Sequence, residues 1–174
     1  LVAPHIAIVT LIAPAHLGHF GSLAEIADAK GEIFEGVAEG GHAVINRDDR
    51  QWTRLRNRAR EAGIAHIHGF GEHRQARCKL LSWRGDSTGS EMVVRIGGAD
   101  LAVRLAAAGR HMAQNMLGVL MAVELAGGDL ERAAIALAGF QPEPGRGRRL
   151  QLDHRDGPIT LIDDPTLAEL SGDL

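Results

Sequence analysis

What most constrains this chain is the rhythm of its first 71 residues, in which short apolar runs alternate with helix-like stretches. "HIAIVTLIA" (5–13), "HAVINRDD" (42–49) and "IAHIHGFG" (64–71) are brief runs rich in β-branched residues. Between them, "SLAEIADAKGEIF" (22–34) and "RQWTRLRNRAREAG" (50–63) carry helical spacing. Strands separated in this way pair in parallel, because a crossover of about a dozen residues or more is needed to bring the next strand alongside in the same direction. Runs with little polar alternation are strands covered on both faces. The 22 glycines, 3% aromatics and absence of tyrosine favour close-packed α/β layers over an aromatic binding platform.

Local signals punctuate this pattern. Pro14 ends the first strand, and Ser22 with Glu25 three residues on forms a capping box that starts a helix over about 23–34, stopping near Gly36. Gly63 closes the second helix. The middle then changes character: "RCKLLSWRG", "SEMVVRIGG" and "ADLAVRLAA" are strand-like pieces separated by turns. They predict a small antiparallel meander around residues 76–105, inserted in the α/β sheet or packed beside it. Helical spacing returns over 110–125, and Asp129 is the expected N-cap of a further helix. "PEPGRGRR" reads as a loop, and "LQLDHRDGPITLIDD" as a pair of strands around Asp156-Gly157. The expected fold is a three-layer α/β sandwich, a mainly parallel sheet with flanking helices.

Composition excludes several classes. Nineteen basic residues against 22 acidic ones give a net charge of −3, so no global field attracts nucleic acid or anionic lipid. The arginines of "RLRNRAR" have no aromatic residues interleaved and read as a solvated helix face. A single cysteine, Cys78, rules out an internal disulfide framework and suits a reducing compartment. No apolar run reaches the length of a membrane span and no signal peptide is evident, so a cytoplasmic location is expected.

Ligands of open α/β sheets gather at the carboxyl ends of the strands. Polar groups stand at four such places: His16 and His19; Asn46, Asp48 and Asp49; His66, His68 and His73; and Asp163 and Asp164. "HIHGFGEH" invites a zinc site if His73 folds back onto His66 and His68, against the plainer reading of ordinary histidines on a strand and turn. "GFG" lacks the further glycine and the helix of a dinucleotide fingerprint. Cys78 has no obvious basic partner and reads as packing. In "PGRGRR" the glycines permit close backbone approach and arginine matches phosphate. "GRHMAQN" opens a helix, where free N–H groups favour anions and the amide of Asn115 could read a base. Lys30 is a rare lysine among arginines, and by itself it reads as a solvated helix residue.

Together, "APAHLGHFGSLAEIADAKGEIFEG", "AVINRDD", "GRHMAQN", "PGRGR" and "ITLIDD" resemble, in order and spacing, the central ATPase domain of the Mur ligases over residues 1–164. The opening block is most similar to the members that add D-alanyl-D-alanine. The resemblance implies an ATP-dependent ligase of peptidoglycan synthesis that joins D-alanyl-D-alanine to UDP-N-acetylmuramoyl-tripeptide through an acyl phosphate. It implies magnesium and ATP as cofactors. His16 would help hold the magnesium ion, and Lys30, carbamylated, would bridge to metal. Asn115 would lie by the adenine, Arg146 by the phosphates and Asp164 by the ribose.

The departures from the family pattern shape the expectation. The family's G-x-x-G-K-[ST] phosphate loop belongs upstream of Leu1, Met112 stands where asparagine is common, and 165–174 reads as a divergent tail. The chain thus reads as a fragment, with the UDP-sugar and dipeptide partners engaged through other domains and no turnover expected from the fragment alone. Alternatives are another ligase of the superfamily (the third-residue-adding enzyme or a folylpolyglutamate synthetase) or a non-catalytic scaffold derived from one. A sheet without its first strand exposes an open edge and apolar surface, so self-association or marginal stability is expected. Sedimentation combined with thermal melting checks this, and a cooperative melt of a monomer would contradict it.

Overall fold

A computed structural model describes residues 3–13, 21–86, 89–140, 148–152, 157 and 159–163. The chain divides into two compact units, Leu1–Ala138 and Gly139–Leu174. In the first unit the strands are β1 (Ile6–Val9), β2 (His42–Asn46), β3 (His66–Gly71), β4 (Cys78–Gly85), β5 (Ser90–Ile96) and β6 (Ala99–Leu105). Its helices are α1 (Leu23–Gly31), α2 (Trp52–Glu61), α3 (Arg110–Leu125) and α4 (Leu130–Ala138). In the second unit, β7 (Arg148–Leu152) and β8 (Ile159–Asp163) form an antiparallel pair.

The six strands of the first unit form one sheet in chain order. β1 to β4 are parallel to their neighbours, whereas β4, β5 and β6 run antiparallel with a register shift between Leu80 and Ser82. The meander thus lies beside the parallel strands as part of the same sheet, extending it edgewise. β4 joins that sheet through a short parallel register, Phe70 with Cys78 and Gly71 with Lys79.

Alternation along the strands sends side chains to two cores. Val44 and Phe70 face α3 and α4 and pack with Leu80, Val94, Leu117 and Leu120. Ala43 and Ile45 face the opposite way, with Val9, Ile26 of α1, Phe34, and Leu55 of α2. The three-layer architecture follows, since each face of the parallel strands meets its own helices. Gly118 lets α3 settle against the sheet: a Cβ there would stand 3.2 Å from Ile8 and 3.3 Å from Phe70. Cys78 is fully buried, and burial followed by the charge of Glu124 pushes its thiol up to about 12. It is a packing residue, as expected from the sequence.

The helix starts also follow local chemistry. The Ser22 hydroxyl accepts from Glu25 N at 3.2 Å, and the Glu25 carboxylate accepts from Gly21 N at 2.9 Å, one residue earlier than a standard capping box. α1 ends at Gly31 and continues as a 3-10 turn, Glu32–Gly36, rather than as α-helix to Phe34. Asp129 caps α4 by accepting from the amides of Glu131 and Arg132.

At the amino ends of β2 and β3, register brings His42 opposite His66, and His68 lies one step further along the same face. The Arg77 guanidinium lies 3.2 Å from His68 Nδ1, and His68 Nε2 lies 3.1 Å from His42 Nδ1. Arginine only donates, so His68 accepts at Nδ1 and carries its proton on Nε2, which donates to His42. Burial first, then Arg77 and the neighbouring imidazoles, holds His68 down at about 4. Burial, then His66 and Arg77, lowers His42 as well.

A histidine with a depressed folded-state value protonates first in the unfolded chain. The stability it confers is present above the ordinary value and is lost as pH falls. The melting temperature is therefore expected to drop as pH falls from 6.5 toward about 4, and His68→Asn is expected to shrink that drop. A pH titration of thermal melts on both proteins checks it.

Candidate functional site at the carboxyl edge

β2 ends in four consecutive polar residues, Asn46 to Asp49, and these organise the edge. Asn46 is 4% exposed, and its side-chain oxygen accepts from Asp48 N at 2.9 Å, turning the chain as it leaves the sheet. Asp48 then reaches toward β3: its two carboxylate oxygens accept from Glu72 N at 2.6 Å and His73 N at 2.8 Å. Asp49 reaches the other way, past β1, accepting from Ile12 N at 2.7 Å while its second oxygen accepts from Gln51 N. Both aspartates are builders of the loop; their oxygens are spent on backbone amides.

Lys30 enters from α1. Its Nζ donates to the carbonyl oxygen of Leu11 at 3.0 Å. Leu11 C=O and Ile12 N–H belong to one peptide unit, so that peptide is held from one side by Lys30 and from the other by Asp49. The lysine that is 19 residues from Leu11 in sequence thus stands at the carboxyl end of the first strand, on the segment leading toward His16.

Across the edge, Arg110 at the start of α3 forks onto Glu72, with Nη2 at 2.7 and 2.6 Å from the two carboxylate oxygens. The same guanidinium lies 5.7 Å from the Trp83 ring. Hydrogen bonding to Glu72 raises the Arg110 value further above its already high range, so the group is a permanent cation. Asn115 follows on the second turn of α3, partly exposed. Met112 packs against the core on the α3 side, which accounts for an apolar residue at that position.

The sequence-derived candidates are distributed unevenly over this edge. Lys30 and Asn115 are on it or on the helix that begins there. His16, His19, Arg146 and Asp164 lie outside the described residues. The three histidines of "HIHGFGEH" do not converge: His66 and His68 join His42 at the opposite end of the strands, while His73 accepts from Arg47 Nε at 3.1 Å. Among the described residues no group of three or more His, Cys, Asp or Glu could hold a metal ion. Sequence reasoning passed over Arg110 and Glu72; the only available signal was their position at the start of a helix and the end of a strand.

A mostly parallel sheet covered by helices on both faces, with charged loops at its carboxyl edge, defines the class of α/β domains that bind ligands there. The family of Mur ligase middle domains matches residues 1–123. A UDP-N-acetylmuramoyl-tripeptide–D-alanyl-D-alanine ligase of Rickettsia prowazekii is 29% identical over 154 residues, 88% of this chain and 34% of that protein. A UDP-N-acetylmuramate–L-alanine ligase of Mycobacterium marinum is 34% identical over 166 residues, 92% of this chain and 33% of the other. A crystal structure of MurF from Acinetobacter baumannii superposes with a TM-score of 0.84 at 27% identity, covering 97% of this chain and 36% of that one. The chain belongs to the Mur ligase family. It spans about a third of the length of the curated relatives it matches.

The loop geometry yields its own expectation. Gly71 has φ +135°, and a Cβ there would run into the Asp48 carboxylate. Gly71→Ala is expected to destabilise the chain by about 1–3 kcal/mol through backbone strain and loss of the Asp48 contacts. Denaturant unfolding checks the value, and an Asp48→Ala, Gly71→Ala pair should show coupling between the two sites.

Proposed function

We propose that the parent protein is an ATP-dependent amide-bond ligase that joins D-alanyl-D-alanine to UDP-N-acetylmuramoyl-tripeptide, with this chain as part of its middle domain. The observation that carries the reading is the Leu11–Ile12 peptide clamped between Lys30 and Asp49, which stations a lysine at the ligand-binding edge. Similarity to the D-alanyl-D-alanine ligase of Rickettsia supports the choice of substrate.

A carboxylate does not acylate an amine directly. Phosphorylation of the terminal carboxylate gives an acyl phosphate; the dipeptide amine then attacks its carbonyl, phosphate leaves, and the amine gives up a proton. Cationic donors at the edge stabilise the charge that develops on the phosphoryl and tetrahedral oxygens. Lys30 is exposed, so its amine has room to be modified. As an ammonium it would repel a metal cation. Addition of the neutral amine to carbon dioxide forms an N–C bond, releases a proton and leaves an anionic oxygen ligand of the kind magnesium prefers. By the family resemblance, His16 and carbamylated Lys30 would hold the ion. Magnesium bound there would supply charge neutralisation for phosphoryl transfer. Asn115, Arg146 and Asp164 would take the adenine, phosphates and ribose.

A second reading has its own support: the relative that adds L-alanine to UDP-N-acetylmuramate reaches 34% identity. One assay separates the two. The full-length protein is supplied with ATP, magnesium and either UDP-N-acetylmuramoyl-tripeptide plus D-alanyl-D-alanine or UDP-N-acetylmuramate plus L-alanine. Ligation of the dipeptide is expected, falling by about 10²-fold or more in Lys30→Ala and in Lys30→Arg, which keeps the charge but cannot form the carbamate. Full activity of Lys30→Arg would remove the carbamate role, and ligation of L-alanine alone would establish the second reading.

A further inference from the structure

A cavity of about 590 Å³ lies where β3 meets α2, lined by Arg47, Trp52, Arg56, Arg60, His68 and Arg77. β4 pairs only with Phe70 and Gly71 of β3, leaving the strand's earlier residues without that neighbour, and Arg47 and Trp52 pack against Gly69, where a Cβ would stand 3.0 and 3.2 Å from them. Trp52, Arg56 and Arg60 recur every fourth residue on α2 and so share one face. Among the described residues, no aspartate or glutamate lines the cavity.

The charge is unevenly met. Other arginines of α2 have carboxylate partners: Arg54 pairs with Asp28, and Arg58 with Glu35 and Glu61. Arg77 is paired with Glu124 at 3.2 Å. Among the described residues, neither Arg56 nor Arg60 has an ion-pair partner, and Arg56 Nε is buried with no hydrogen-bond acceptor. Arg47 lies 4.5 Å from the Trp52 ring centroid and donates to His73 and Gln75, neither of which supplies a negative charge. Cations without counter-charges gathered around one cavity are an arrangement that an anion completes. The volume is that of a small-molecule site. Guanidinium groups match phosphate oxygens in pairs, and several of them around one cavity suit more than one phosphate group.

We propose that this cavity binds a small polyphosphate anion. The reading is independent of the ligase assignment, which uses none of its arginines. The test is calorimetric titration of the chain with pyrophosphate at fixed ionic strength, alongside Arg56→Gln, Arg60→Gln and Lys30→Ala. One site per chain is expected, weakened about tenfold by each arginine change, as for loss of one charge-assisted hydrogen bond, and unchanged by Lys30→Ala. Arg60 is exposed, so Arg60→Gln keeps the fold even where Arg56→Gln does not; melting curves verify this. Absence of pyrophosphate binding would overturn the proposal, as would binding that both arginine variants leave intact or that Lys30→Ala abolishes. Equal affinity for a polyglutamate peptide would overturn the phosphate chemistry and assign the face to acidic protein segments.

Discussion

The carboxyl edge of this sheet depends on two adjacent carboxylates that point in opposite directions. β2 lies between β1 and β3, and the residues that leave it hold the loops of both neighbours: Asp49 through the amide of Ile12, Asp48 through the amides of Glu72 and His73. Hydrogen bonds to a charged acceptor contribute about 1.5–3 kcal/mol each, enough to hold short loops against their conformational entropy. The buried Asn46 amide sets the turn that makes this division possible. Lys30 and Arg110 are both placed relative to loops that these contacts tie down.

The two ends of the parallel strands are consequently different chemical places. At the carboxyl end, Asp48 and Asp49 serve the backbone, Lys30 donates to the Leu11 carbonyl, and Arg110 is paired with Glu72. At the amino end, His42, His66 and His68 meet beside Arg77, and burial first, then the neighbouring cationic groups, lowers the values of His42 and His68. These histidines hydrogen-bond and pack against one another, and among the described residues no group of three or more His, Cys, Asp or Glu could hold a metal ion. No described helix is long and apolar enough to cross a membrane.

Helix α2 shows how one sequence pattern divides between roles. "RLRNRAR" reads as a uniformly solvated basic face, and for Arg54 and Arg58 the ion pairs with Asp28 and Glu35 agree with that. Yet Arg56 and Arg60 line a cavity beside β3, and the Nε atoms of Arg56 and Arg58 are buried. Periodicity alone cannot separate a helix face turned to water from one turned to the flank of a strand that lacks a neighbour. That depends on how far β4 extends along β3, a long-range fact.

Much of the architecture was legible because it rests on local rules. The strand–helix alternation, the Ser22 cap, the Asp129 cap and the β7–β8 pair follow from side-chain period, hydrogen-bonding groups and turn residues close in sequence. The joining of the meander to the parallel sheet was not legible, since it turns on the register of only Phe70 and Gly71 with β4. Nor was the sorting of His66 and His68 from His73, because His42 lies in another strand. By itself, the sequence determined the fold class and, through the spacing of its motifs, the family. Only the tertiary structure decided what the polar residues do: it committed Asp48 and Asp49 to backbone amides and brought Lys30 to the Leu11 carbonyl. Those contacts join residues 19 to 37 positions apart, and no local propensity encodes which amide a carboxylate will reach.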